Sequence, residues 1–341
     1  MLTVPFSGCV GVRAKTVLID QYGSFLGVRQ GRFFLKVGGK VRWELAPSEI
    51  DSIVITTDGS ALSAAAVSLA TTFGVDLVFM SREKPLGRVI SYKYGTLMRS
   101  WLLQLKVRES GSAELARLFL DGKLHNQRMV ILEYARRLRG GGKMREAGFL
   151  EDKANEIAKR SSELAKTATV EELLVIEAHA AKSYWEAVSE ILPRDLGFSH
   201  RYTRSNPPGG EMDKFNISLN LGYALLRKEV WRAVFLAGLN PYLGFLHKPR
   251  GGRPALVLDL MEEFRAVSVD RPLIGLARTD KYALVKIGEN GSDALRRVWS
   301  HLVKYMRESN PSHVELINSQ ARKLVLHLRG VGRYTPFKSR W

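Results

Sequence analysis

The 341-residue chain has a single cysteine, Cys9, so neither a disulfide framework nor a Cys-ligated zinc site is open to it, and a reducing compartment suits it. Acid is scarce too: 34 Asp+Glu stand against 52 Lys+Arg, a formal net charge of +18. Long apolar runs are missing. The longest uncharged stretch, residues 59–75, has 17 residues rich in Ala, Ser and Thr, too short and too polar to span a bilayer. Residues 1–5 contain no basic segment leading into an apolar one, so no secretory leader is expected. Familiar catalytic signatures are also absent. Gly140-Gly141-Gly142-Lys143 runs into Met144, leaving no Ser or Thr to hold a nucleotide's Mg²⁺. There is no H-E-x-x-H, no G-x-S-x-G and no dinucleotide fingerprint. No repeat of 20–50 residues occurs. These absences leave a soluble, cytoplasmic protein with no membrane partner as the expectation.

What is present is an ordinary globular composition, 45% apolar and 25% charged, long enough for two domains. The first 90 residues read as strands. Residues 25–28, 32–37 and 41–45 are rich in β-branched and aromatic types, with Gly38-Gly39 as a hairpin signal between the last two. Residues 53–56 and 77–80 are apolar runs of strand length, and Leu62, Ala65, Ala66, Leu69 and Phe73 recur at helical spacing between them. From Leu97 the period turns helical, over 112–120, 127–138, 149–165, 170–191, 217–237, 255–266, 292–306 and 314–328. The expected layout is α+β: a small β-rich domain over 1–90, a linker near 85–96 and a large α-helical domain over 91–341. An excess of 18 positive charges points to an anionic partner, and nucleic acid fits better than a membrane surface.

Three places can carry chemistry. In the helix 170–191, Glu177 lies three or four residues from Leu173, Leu174, Ala180 and Ala181, on the face expected to turn inward. A carboxylate there is either bridged to an Arg or Lys or bound to a metal, and bridging is the commoner outcome. His247 closes the rigid segment that starts at Gly238 and contains Pro241; such a His is more often a hydrogen-bonded core residue than a ligand. Asp259, Glu262 and Glu263 are spaced i, i+3 and i+4, so they form either a solvated face with Arg265 as counter-ion or a cation site. One imidazole with two or three carboxylates describes a site for Mg²⁺ or Mn²⁺, the imidazole tilting the choice to Mn²⁺. On a basic protein this suggests phosphodiester chemistry.

At these residues the chain resembles the CRISPR-associated adaptation endonuclease and integrase family. Ile176-Glu177-Ala178-His179-Ala180-Ala181-Lys182-Ser183-Tyr184-Trp185 is similar to the family's E-G-x-x-A-x-x-Y-F helix. The segment from Gly238 to His247 is similar to G-L-D-P-x-x-G-F-L-H, and that from Ala255 to Arg265 to S-L-x-x-D-L-x-E-x-F-R. Gly122-Lys123-Leu124-His125-Asn126-Gln127-Arg128 resembles K-x-x-N-Q, and the likeness extends to Tyr334-Thr335-Pro336-Phe337. Departures are Ala178 for Gly, Asn240 for Asp, and the loop from Arg204 to Asn216, where residues 209–212 look like a small insertion.

The resemblance implies an N-terminal β-sandwich that mediates dimerisation, followed by an all-α catalytic domain. Glu177, His247 and Glu262 would be the metal ligands and Asp259 an additional catalytic acid. The implied activity is metal-dependent cleavage of DNA and joining of protospacer 3′-hydroxyls into a CRISPR repeat. Double-stranded and branched DNA would be the substrates. A homodimer and a small ferredoxin-like adaptation protein would complete a heterohexamer. Arg201, Arg204, Lys248, Arg250 and Arg253 flank the implied ligands and are candidate DNA contacts. A transposon-type integrase or branched-DNA repair nuclease of the same fold, and a non-catalytic DNA-binding scaffold, remain as alternatives.

Overall fold

The computed structural model describes residues 16–81, 84–90, 95–111, 113–202, 212–280, 284 and 291–340. Cys9 and Arg204 lie outside the described residues. The chain divides into two compact units, Met1–Arg99 and Ser100–Trp341.

The N-terminal unit contains strands β1 (Thr16–Ile19), β2 (Ser24–Arg29), β3 (Arg32–Val37), β4 (Lys40–Leu45), β5 (Ser52–Ile55), β6 (Ala61–Leu62), β7 (Asp76–Met80) and β8 (Pro85–Val89). They form two four-stranded sheets, in the orders β1-β5-β7-β8 and β4-β3-β2-β6. In the first, β1, β5 and β7 are parallel and β8 closes the edge antiparallel. The second is built on antiparallel pairing of β2, β3 and β4. Gly38 and Gly39 turn from β3 to β4 with φ of 56° and 81°, the double positive φ that a two-residue hairpin requires. Ile53, Ile55 and Leu77 of one sheet share a core with Leu26, Phe33 and Leu35 of the other, so the expected sandwich is present. Helix α1 (Ala64–Phe73) buries Ala66 and Ala70 alone.

Three local expectations change. Leu62 sits in β6, before the Ser63 cap, and Phe73 is 64% exposed. The small alanines, not the bulky residues, allow the close approach. The supposed linker begins as a strand, because β8 pairs with β7 and Arg88 reaches Asp76 at 2.5 Å. β1 and β6 had too few residues to show a period.

Helices α2 (Gly95–Glu109), α3 (Glu114–Gly140), α4 (Met144–Glu163), α5 (Val170–Ile191), α6 (Lys214–Leu236), α7 (Ala255–Met261), α8 (Arg271–Thr279), α9 (Gly291–Glu308) and α10 (His313–Leu328) follow. α5 starts where the capping box Thr169-x-x-Glu172 places it. The pieces expected over 112–120 and 127–138 are one 27-residue helix, α3. Gly122 does not break it. A Cβ there would stand 3.0 Å from both Glu263 Cγ and Pro336 Cβ, so the glycine permits close packing. The helix expected over 255–266 ends at Met261, passes through a turn and continues as one π-helical stretch, Ala266–Asp270, into α8.

Candidate metal centre

α3, α5 and the turn after α7 bring three charges together. Lys123 Nζ lies 2.5 Å from Glu177 Oε1 and 2.7 Å from Glu262 Oε2. Lys123 and Glu262 are 9% and 5% exposed. The bridged state weighed for Glu177 is thus realised, and by a residue that bridges Glu262 as well. A solvated acidic face is excluded for Asp259, Glu262 and Glu263, all of which are buried. Leu174, expected beside Glu177 on the inward face, is 38% exposed, while Ala180 and Tyr184 are buried.

Glu262 is the electrostatic centre. Its Oε1 accepts from Arg265 Nε at 3.0 Å. Its Oε2 forms a close ion pair with the Lys123 ammonium. Burial alone would raise this carboxyl, but the charges of Arg265 and Lys123, with a contribution from His247, lower it to about 2. The same two carboxylates hold Lys123 above the ordinary lysine range, against its burial.

Asp259, for which the resemblance implies an additional catalytic acid, lies against His247. It is fully buried, and its Oδ2 accepts from the backbone N–H of Phe245 at 2.5 Å and of Leu246 at 3.0 Å. Its Oδ1 accepts from the His247 N–H at 2.9 Å and lies 2.7 Å from His247 Nδ1. The carboxylate therefore ties down the loop and fixes the imidazole, leaving Nε2 as the ring nitrogen that Asp259 does not engage. Gly244 makes this possible, since a Cβ there would meet Ala255 Cβ at 2.7 Å and Asp259 Oδ2 at 2.8 Å. α2 holds the loop from the other side. Trp101 Nε1 donates to Gly238 O at 3.1 Å, Gln104 pairs with the Asn240 backbone at 2.8 and 3.2 Å, and Arg108 donates to Gly244 O.

Behind Glu262 lies a buried brace. Arg265 stacks over the Tyr223 ring at 4.7 Å, and Arg201 covers the same ring at 5.4 Å. Tyr223 and Tyr184 donate their hydroxyls to Asp270 at 2.7 and 2.9 Å. Burial raises Asp270 to about 6 in spite of these bonds.

Two carboxylates and an imidazole form a hard-cation donor set. The ammonium lodged between Glu177 and Glu262 shows that the pocket favours positive charge. The residues fit a divalent ion. Among the described residues, no three His, Cys, Asp or Glu side chains already converge as a ligand cluster; Lys123 separates the two glutamates.

The candidate DNA contacts differ in availability. Arg201 is committed to Asn216 Oδ1 at 2.7 Å and Asn220 Oδ1 at 2.6 Å. Lys248 is largely exposed and pairs with Glu171 at 3.0 Å. Arg250 and Arg253 are exposed and bridge through their backbones. Lys123 and Asn126 were quoted in the sequence only as part of a motif. Polar residues on a stripe with Leu120, Val130 and Ile131, all buried, were the signal that could have singled them out.

The family model described as "CRISPR associated protein Cas1" matches residues 17–286. A protein of Saccharolobus solfataricus named CRISPR-associated endonuclease Cas1 1 is 38% identical over 95% of this chain and 84% of its own length. Another of that name, from Archaeoglobus fulgidus, is 29% identical over 95% and 99%. Among solved structures, a casposase bound to integration product superposes with TM-score 0.72 at 21% identity, covering 95% of this chain and 98% of the other. A partial Cas6-RT-Cas1–Cas2 complex gives 0.69 at 17%, covering 96% and 100%. At these identities the structural likenesses speak to the fold.

Proposed function

The chain belongs to the CRISPR-associated Cas1 endonuclease family, and from that premise we propose that its helical unit cleaves and joins DNA phosphodiesters at a divalent-metal centre made by Glu177, His247 and Glu262. The observation that carries this reading is the meeting of Glu177 and Glu262 at one cation, 2.5 and 2.7 Å away, beside an imidazole oriented by Asp259. An Mg²⁺ or Mn²⁺ held there would supply positive charge to the phosphoryl oxygens and acidify the attacking hydroxyl. Glu177, Glu262 and His247 would hold it. Asp259 acts as a positioning residue for that imidazole.

Hydrolysis and strand transfer differ only in the nucleophile. Water, or the 3′-hydroxyl of a protospacer, forms the new P–O bond. The bond from phosphorus to the departing 3′-oxygen breaks, and that oxygen takes up a proton. Lys248, Arg250 and Arg253, with Arg204, contribute phosphate contacts that are insensitive to sequence and sensitive to salt. Arg201 serves mainly to brace Tyr223.

The same premise supports the assembly: homodimers formed through the β-sandwich, bridged by a small ferredoxin-like adaptation protein into a heterohexamer that grips duplex or branched DNA. A catalytically silent scaffold is disfavoured, because burying a lysine and several carboxylates carries a desolvation cost, even when they are paired, that a scaffold has no use for. Mn²⁺-dependent cleavage and joining of branched DNA by Glu177→Ala and His247→Ala tests the reading. Both activities should vanish in both variants; undiminished activity in both would sink the assignment.

A further inference from the structure

The residues that follow α10 form no regular secondary structure between 333 and 340, yet two of them are buried. Tyr334 and Ser339 are each 3% exposed. This strap crosses two of the segments that build the metal centre, and it meets each one residue or a few residues from a charge of that centre.

Against the turn after α7, it engages Glu263, the neighbour of Glu262. The fully buried Glu263 carboxylate accepts the Tyr334 hydroxyl at 2.5 Å and the Phe337 N–H at 2.7 Å, together with Gln320 Nε2 at 2.8 Å. Phe337 stacks on Phe264, with ring centroids 5.0 Å apart and planes 5° from parallel. Against α3, it passes over Gly122, the neighbour of Lys123, so closely that a Cβ would stand 3.0 Å from Pro336 Cβ and 3.2 Å from Phe337 O. Asn126, one turn further on, joins all three parts. Its Nδ2 donates to Glu263 O at 2.7 Å and Phe337 O at 2.9 Å, and its Oδ1 accepts from the N–H and hydroxyl of Ser339 at 2.8 and 2.9 Å.

We propose that residues 334–339, with Asn126 and Glu263, are positioning residues of the metal centre. The strap sets the spacing between the α3 segment that carries Lys123 and the turn that carries Glu262. First, every hydrogen-bonding atom of the Asn126 amide is used to tie two backbone segments and the strap together, so none of the three can shift alone. Second, Glu262 lies in a turn between α7 and the π-helical stretch, where the regular helix ladder does not fix its direction. The strap supplies the missing restraint through the next residue. Third, the network buries polar groups at a cost that only full pairing offsets, so it holds one geometry and not several. Groups that orient metal ligands from outside alter metal affinity by about 10–100-fold when removed.

The proposal rests on the metal reading of Glu177, His247 and Glu262, and calorimetric titration of Mn²⁺ into the full chain separates the two. Asn126→Ala should weaken Mn²⁺ binding about tenfold and Tyr334→Phe severalfold. DNA affinity measured in EDTA should stay at the wild-type value. Leu150→Ala, in the α4 core, serves as a comparison that lowers the melting temperature without touching the strap; its Mn²⁺ affinity should match wild type. If Asn126→Ala fails to fold, Tyr334→Phe decides, since it removes one hydroxyl and keeps the ring. Folded strap variants with wild-type Mn²⁺ affinity would overturn the positioning role alone, as would an equal loss in Leu150→Ala. A wild-type chain that binds no Mn²⁺ would overturn the metal reading and the strap's role with it.

Discussion

Among the described residues of the N-terminal unit, Ser24 is the one buried polar side chain, whereas the helical unit buries Lys123, Asn126, Asp259, Glu262, Glu263 and Asp270. The sandwich closes on Ile, Leu, Val and Phe, and burial of that surface is sufficient to explain it. The helical unit has a much larger apolar core and offsets with it the desolvation cost of the charges it buries. A β unit built for stability and a helical unit built around a charged centre predict different consequences for substitution.

The largest contrast is between chemistry and stability. Glu177→Gln or Glu262→Gln should lower the cleavage rate by roughly 10²–10⁴, several kcal/mol of transition-state stabilisation, at near-normal DNA affinity. Ile53→Ala, in the sandwich, should cost about 2–5 kcal/mol in denaturant unfolding of its unit and leave Mn²⁺ affinity unchanged. Equal effects on both properties from either class would erase the distinction.

Next comes the loop that carries His247. Asp259→Ala removes the acceptor for three backbone N–H groups and the imidazole, and should destabilise the helical unit by about 3 kcal/mol. Melting and Mn²⁺ titration should both register it. Gly244→Ala should act in the same direction through the clash at Ala255.

The third effect depends on pH and belongs to the helical unit. Asp270 is raised by burial to about 6 from the ordinary 3.8. Its protonated form is favoured in the fold, so its contribution is complete below about pH 4 and is lost as pH rises through 6. Its size is about 3 kcal/mol. His313, lowered by burial to about 4, works oppositely: its contribution is present above pH 6.5 and is lost as pH falls through 4. Urea unfolding of Asp270→Asn should therefore show stability climbing more steeply between pH 4 and 6 than in wild type. Parallel profiles would remove Asp270 from the account.

The smallest effect is at the surface. The exposed Lys248–Glu171 pair should add little to stability, because both charges are screened by solvent. Lys248→Ala should instead reduce the salt slope of DNA binding by about 1.

Much of the fold could be read locally, because β2, β3 and β4 are rich in β-branched and aromatic residues and the helices are long and periodic. α5 is legible to the residue through Thr169 and Glu172. β1, β6 and β8 were not legible, since four, two and five residues carry too little pattern and pairing decides them. The acids of the site stood out as charge on apolar stripes. What stayed hidden was partnership: that Lys123 would join Glu177 to Glu262, that Asp259 would serve a loop's backbone, and that a tail without periodicity would lock beside Glu262. Those contacts join residues far apart in sequence, and no local signal encodes them.

The most direct measurement is anomalous scattering from crystals of the full chain soaked in Mn²⁺. One strong peak is expected, contacted by Glu177, Glu262 and His247 Nε2, with the Lys123 ammonium moved out from between the two carboxylates. No peak there, or a Mn²⁺ bound elsewhere with Lys123 still bridging Glu177 and Glu262, would contradict it.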